Sequence, residues 1–123
     1  MATLELTKAT FASVISSNDI VLVDFWASWC GPCRMFAPVY DKASEQHPGI
    51  VFGKIDTEAE RELAAAAHIS SIPTLIAFRD GIVVFSQPGA LPAAALEQVI
   101  AGVQALDMDD VHRQLQEQQS RTA

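Results

Sequence analysis

Cysteine is nearly absent from this sequence: Cys30 and Cys33 are the only two in 123 residues. A disulfide-stapled secreted domain would carry more of them, spread further apart. A bridge between positions this close encloses too short a loop to add much stability, so the pair points to chemistry rather than stapling. Basic charge is also scarce. Lys and Arg number 8 against 15 Asp and Glu, a formal net charge of −7. An acidic surface repels phosphate backbones and anionic lipid, so neither nucleic acid nor a membrane surface is an expected partner. Long apolar runs are missing too. Half of the residues are hydrophobic, enough for a core, yet charges, Pro and Gly break them into blocks far shorter than the ~20 residues that span a bilayer. Between Met1 and Phe11 no basic stretch leads into an apolar one, so no secretory leader is expected. The length suits one domain.

The apolar blocks give an alternating order of elements. Thr3-Leu4-Glu5-Leu6 reads as a short strand, and Thr7 as the cap of a helix with Phe11, Val14 and Ile15 on its inner face. Ile20-Val21-Leu22-Val23, extended by Phe25, reads as a strand buried on both faces. Trp29-Cys30-Gly31-Pro32-Cys33 is a tight turn into a helix, with Pro32 in its first turn. Met35, Phe36, Val39, Tyr40 and Ala43 continue at helical spacing to about His47, past a kinking Pro38. Ile50-Val51-Phe52 and Ile55 form another strand. Thr57 to Glu60 matches a capping box before an alanine-rich helix reaching about Ala67, with His68 as its C-terminal cap. Thr74 to Phe78 and Ile82 to Phe85 are strands joined by Arg79-Asp80-Gly81, and Pro92 opens a helix carrying Leu96, Val99, Ile100, Val103 and Leu106. This order implies an α/β domain: a largely parallel sheet, helices on both faces and an antiparallel hairpin at one edge.

A Cys-x-x-Cys pair serves as half of a zinc site, as an inert structural pair, or as a reversible dithiol at a helix start. Zinc needs two further ligands. No other Cys exists, and His47, His68 and His112 lack a paired spacing, so no metal is expected. The dithiol reading has a physical reason for each part. Free N–H groups and the positive dipole end of a helix stabilise a thiolate on Cys30. Cys33, one turn in and less exposed, can resolve a mixed disulfide by attacking Cys30. Asp24 interrupts an apolar strand. It is either a satisfied buried polar group or a base behind the site that accepts the Cys33 proton. Trp26 reads as packing near the site and Trp29 as partly exposed beside Cys30.

Val23-Asp24-Phe25-Trp26-Ala27-Ser28-Trp29-Cys30-Gly31-Pro32-Cys33 closely resembles the active-site segment of the thioredoxin family. Ile72-Pro73-Thr74 resembles that family's cis-proline loop and Gly89-Ala90 its third substrate-facing loop, while Lys54, Gly81 and Pro38 also fall where the family has them. The resemblance implies a thioredoxin fold over residues 1–106, with a mixed five-stranded sheet flanked by helices on both faces. It further implies a cytoplasmic, monomeric protein-disulfide reductase acting on client proteins and recharged by a flavin- and NADPH-dependent thioredoxin reductase. With no G-x-G-x-x-G in the chain, no bound cofactor is expected. By the same resemblance Asp24 is the buried base, with Lys54 as its neighbour. Trp29, Gly31, Pro32, Ile72, Pro73, Gly89 and Ala90 make the contact patch, supported by Trp26. The Gly-Pro pair between the cysteines resembles the reducing branch. Ser71, where relatives often have Gly, and Pro88, where a β-branched residue is usual, alter the rim of that patch.

Residues 107–123 lie beyond the resemblance. Asp107 can cap a helix, and Met108, Val111 and Leu115 form a narrow apolar stripe. The expectation is a weakly packed helical appendage, or else a helix that docks a partner or a second copy. Two functional alternatives remain: a dedicated reductant for one client, or a binding subunit whose redox activity is incidental.

Overall fold

The computed structural model describes residues 2–122; Met1 and Ala123, the outer ends of the expected domain and tail, lie outside them. The elements run β1 (Thr3–Glu5), α1 (Phe11–Ser17), β2 (Ile20–Trp26), α2 (Gly31–Gln46), β3 (Val51–Asp56), α3 (Arg61–Ala66), β4 (Thr74–Arg79), β5 (Ile82–Pro88), α4 (Ala93–Gln104) and α5 (Met108–Thr122).

Side chains alternate across β2 and set the two faces of the sheet. Leu22 points into a core with Phe36 and Tyr40 of α2, Leu96 and Ile100 of α4, and Phe52. Val21, Val23 and Phe25 point the other way, against Ile15 with Phe11 and Val14 of α1, and Leu63 of α3. Asp24 and Trp26 therefore share the α2 face with Leu22. Strand order is β1-β3-β2-β4-β5. β3 lies parallel to β1 and β2, but β4 is antiparallel to both β2 and β5. The sheet is thus mixed, as the resemblance implies, and not the largely parallel one that the element order alone suggests. A regular right-handed crossover would return a strand parallel. Here a single short helix and the segment 67–73 bring β4 in reversed, on the far side of β2.

Two N-terminal caps differ from expectation. Thr7 starts a turn, accepting from Thr10 N and Phe11 N through its carbonyl, and α1 begins only at Phe11. Thr57 is not part of a capping box. Its hydroxyl donates to the Trp26 carbonyl at 3.0 Å, while Asp56 Oδ1 accepts from Glu58 N at 2.9 Å, so a turn fills 57–59 and α3 starts at Arg61. The Asp56 carboxylate thus satisfies the turn's backbone in place of a helix, and the Thr57 hydroxyl ties the turn to β2. His68 caps α3 as expected. It adopts φ 56°, its N–H reaches Ala65 O at 3.0 Å, and Ile69 N reaches Ala64 O at 3.0 Å, the pairing of a Schellman motif. Asp80 and Gly81, at φ 54° and 77°, form the hairpin turn.

Asp107 caps α5, its Oδ1 accepting from Asp110 N at 3.2 Å. Leu106 and, from α5, Val111 and Leu115 face Ile82, Val83 and Val84 of β5 across a shallow hollow, and none of the three is fully buried. His112 stands 3.7 Å from Asp80. His47 is half-buried: it pairs with Glu97 at 2.9 Å and stacks on Phe52. No helix among the described residues is long and apolar enough to cross a membrane.

Candidate active site

Cys30 ends the loop after β2 and caps α2, whose first residues are Gly31 and Pro32. Proline suits this place because its missing N–H would have no partner in the first turn. The Cys33 N–H donates to Cys30 Sγ at 3.2 Å, and the two sulfurs form a disulfide with their Cα atoms 5.2 Å apart. The two cysteines are almost equally buried, Cys30 at 4% exposed and Cys33 at 3%. Both sit on one buried turn, so their roles are set by helix position rather than by burial.

The peptide bond between Ile72 and Pro73 is cis. Cys30 Sγ lies 3.7 Å from the Ile72 carbonyl oxygen, and Ile72 packs with Trp26 against Ala27, Cys30 and Cys33. Gly89, at φ 100°, donates its N–H to Pro73 O at 2.7 Å; glycine alone adopts that φ freely. This bond ties the third expected loop to the second. Three segments distant in sequence, 29–33, 72–73 and 89–90, thus converge on the disulfide, with Trp29, Pro32, Gly89 and Ala90 exposed and Pro73 buried.

Asp24 is fully buried, and neither carboxylate oxygen has a hydrogen-bond partner among the described residues. Burial raises its pKa to about 7, against the pull of Lys54, which faces it in register on β3. Lys54 Nζ also sits 5.0 Å from the centre of the Trp26 ring, a cation–π contact. Tyr40, beneath the same face, is pushed well above its ordinary pKa by its own burial and by Asp24, and its hydroxyl donates to Gly53 O at 2.8 Å.

Sequence reading missed Glu58. Its Oε1 accepts from Trp29 Nε1 at 3.0 Å, and its Oε2 pairs with Arg61 at 3.2 Å. The signal is positional. β2 and β3 run parallel, so the turn after β3 lies beside the turn after β2, and an acid there can reach the indole. Arg34, also missed, ties the loop from below by donating to Ser28 O at 2.9 Å.

The thioredoxin family profile matches residues 2–102. The chain belongs to the thioredoxin family. It is 56% identical over 120 residues to the provisionally named thioredoxin 2 of Streptomyces coelicolor, covering 98% of this chain and 90% of that one. It is 47% identical over 103 residues to the bifunctional thioredoxin reductase/thioredoxin of Mycobacterium leprae, covering 82% of this chain and 22% of that one. A solved variant thioredoxin from Halobacterium salinarum matches with a TM-score of 0.79 at 36% identity, covering 85% of this chain and 92% of that one. With a family-type Cys-Gly-Pro-Cys pair at bonding distance, the chain is a dithiol–disulfide oxidoreductase.

Proposed function

We propose that this oxidoreductase works in the reducing direction on cytoplasmic client proteins, as a monomer, and takes its electrons from a separate flavin- and NADPH-dependent reductase. The observation that carries the reading is the setting of Cys30 Sγ, 3.2 Å from a helix-terminal N–H and 3.7 Å from the Ile72 carbonyl oxygen. In the reduced protein the same amide and the positive end of α2 favour a thiolate on Cys30. An extended client segment pairs with the Ile72 backbone and presents its disulfide. The Cys30 thiolate attacks one client sulfur, the client S–S bond breaks, and the departing sulfur takes a proton. Asp24, on the face of β2 that α2 covers and with a pKa of about 7, receives the Cys33 proton near neutral pH. The Cys33 thiolate then attacks Cys30 Sγ, the mixed disulfide breaks, and the second client cysteine leaves reduced. Two electrons pass to the client and the chain is left oxidised.

Recharging needs a partner because the chain carries no dinucleotide fingerprint. The Mycobacterium leprae relative, which bears both names in one chain, supports a reductase as that partner. An NADPH-coupled insulin assay with a bacterial thioredoxin reductase tests the whole cycle, and turnover is expected. Cys33→Ser should accumulate a mixed disulfide with insulin, and Cys30→Ser none. The opposite pattern would reverse the assigned roles.

A further inference from the structure

Four large apolar side chains are left exposed among the described residues, and two of them, Trp29 at 65% and Met35 at 74%, stand at the N-terminal end of α2. Met35 is three residues beyond Pro32 and four beyond Gly31, so it continues their face of the helix, and Pro38 and Val39 continue it again. That face leads into a groove of about 410 Å³ between α2 and α4. Pro38 and Val39 form one wall, Ala93 and Ala94 the other, and the buried Leu96 the floor. The groove exists because the first turn of α4 offers only methyl groups where larger side chains would fill the gap. Lys42 and Glu97 give it a polar rim, the pattern of a contact with an apolar centre.

Both walls begin at the redox site. α2 starts at the residue after Cys30, and α4 starts three residues after Ala90. The groove is therefore continuous with the patch that meets the client, and the occupant that this continuity selects is the client chain itself. From Cys30 to Pro38 and Val39 is about 12 Å along the helix, a distance covered by about four residues of extended chain.

We propose that the groove between α2 and α4 is a second contact for client polypeptides, taking an apolar side chain about four residues from the cysteine that joins Cys30. It rests on the disulfide-reductase reading above. It makes recognition depend on sequence around the reactive cysteine, at a distance that the loops at the disulfide do not reach.

The test uses disulfide-linked homodimers of short, otherwise polar peptides with a central cysteine. Leu is placed four residues before or after that cysteine, and Ser stands there in the control. The rate constant for reaction with the pre-reduced protein is measured by stopped flow. One of the Leu peptides should react about tenfold faster than its Ser counterpart, the scale of one buried aliphatic side chain. Ala94→Glu, at an exposed position in the groove wall, should erase that preference and leave reduction of the disulfide of mercaptoethanol unchanged. Equal rates for Leu and Ser peptides, or a preference that survives Ala94→Glu, would overturn the groove. So would a wild-type dimer in light scattering that Ala94→Glu converts to a monomer, since a second copy would then be the occupant. Failure to reduce the disulfide of mercaptoethanol would instead overturn the reductase reading beneath it.

Discussion

Asp24 is a carboxylate where the strand pattern calls for an aliphatic side chain, and its titration is a stability term. Its folded pKa is about 7 against an ordinary value of 3.8. Between these values the folded chain holds a proton that the unfolded chain has released. Stability therefore falls as pH rises through this window, and the full penalty stands above it. The rise corresponds to about 4 kcal/mol. Asp24→Asn, nearly the same shape as the protonated acid, should match the wild type at pH 4 and exceed it by a few kcal/mol at pH 8. Denaturant midpoints at the two pH values check this, and parallel pH profiles would contradict it. The same variant should slow resolution of the mixed disulfide near neutral pH. Asp24 was legible from the sequence because it breaks a run of Val, Leu and Phe. Glu58 was not, because nothing local marks it. Only the parallel register of β2 and β3 brings its carboxylate to Trp29.

Helix ends carry most of the differences between sequence and structure. The Thr57–Glu60 pattern is a good capping box on paper, yet the Thr57 hydroxyl donates to the Trp26 carbonyl of a strand remote in sequence, and the Glu60 N–H goes to Asp56 O rather than to the Thr57 side chain. The C-terminal ends follow local rules more closely. His68 takes up the left-handed conformation at φ 56°, which disfavours any side chain with a Cβ. His68→Gly should therefore raise stability by up to about 1 kcal/mol, read as a denaturant midpoint, with insulin reduction unaltered. The end of α4 relies on tertiary structure. Arg79 Nη1 donates at 2.8 to 3.1 Å to the carbonyls of Val103, Gln104 and Leu106, one charged nitrogen shared among three acceptors. Arg79 is the last residue of β4, and the sequence showed it only as part of a turn. Arg79→Ala should lower stability by about 2 kcal/mol in equilibrium unfolding. Loss within a few tenths of a kcal/mol would mean that water replaces the guanidinium without penalty.

For the whole molecule, the two-sided burial of β2, the helices on both faces and the hairpin were legible from the apolar periods alone. The antiparallel entry of β4 was not, since strand direction depends on how segment 67–73 turns and no periodicity records that. The tail expectation is a weakly held helix, and α5 matches it in having no fully buried side chain among the described residues. A chain ending at Leu106 should fold cooperatively, reduce insulin, and lose about 2 kcal/mol or less; loss of the unfolding transition would make α5 part of the core. Such a chain should differ from the parent in one further respect. Val84 packs with the α4 side of the sheet and Val83 lines a hollow on the α1 side, so a helix facing both lies along the border of the last strand. There it stands where an additional strand would add on. Farther along, Pro88 lacks the N–H that such a strand would need. The tail thus limits how the molecule can polymerise. Shortened chains, active when dilute, should associate strand to strand as their concentration rises, and light scattering across a dilution series would register it.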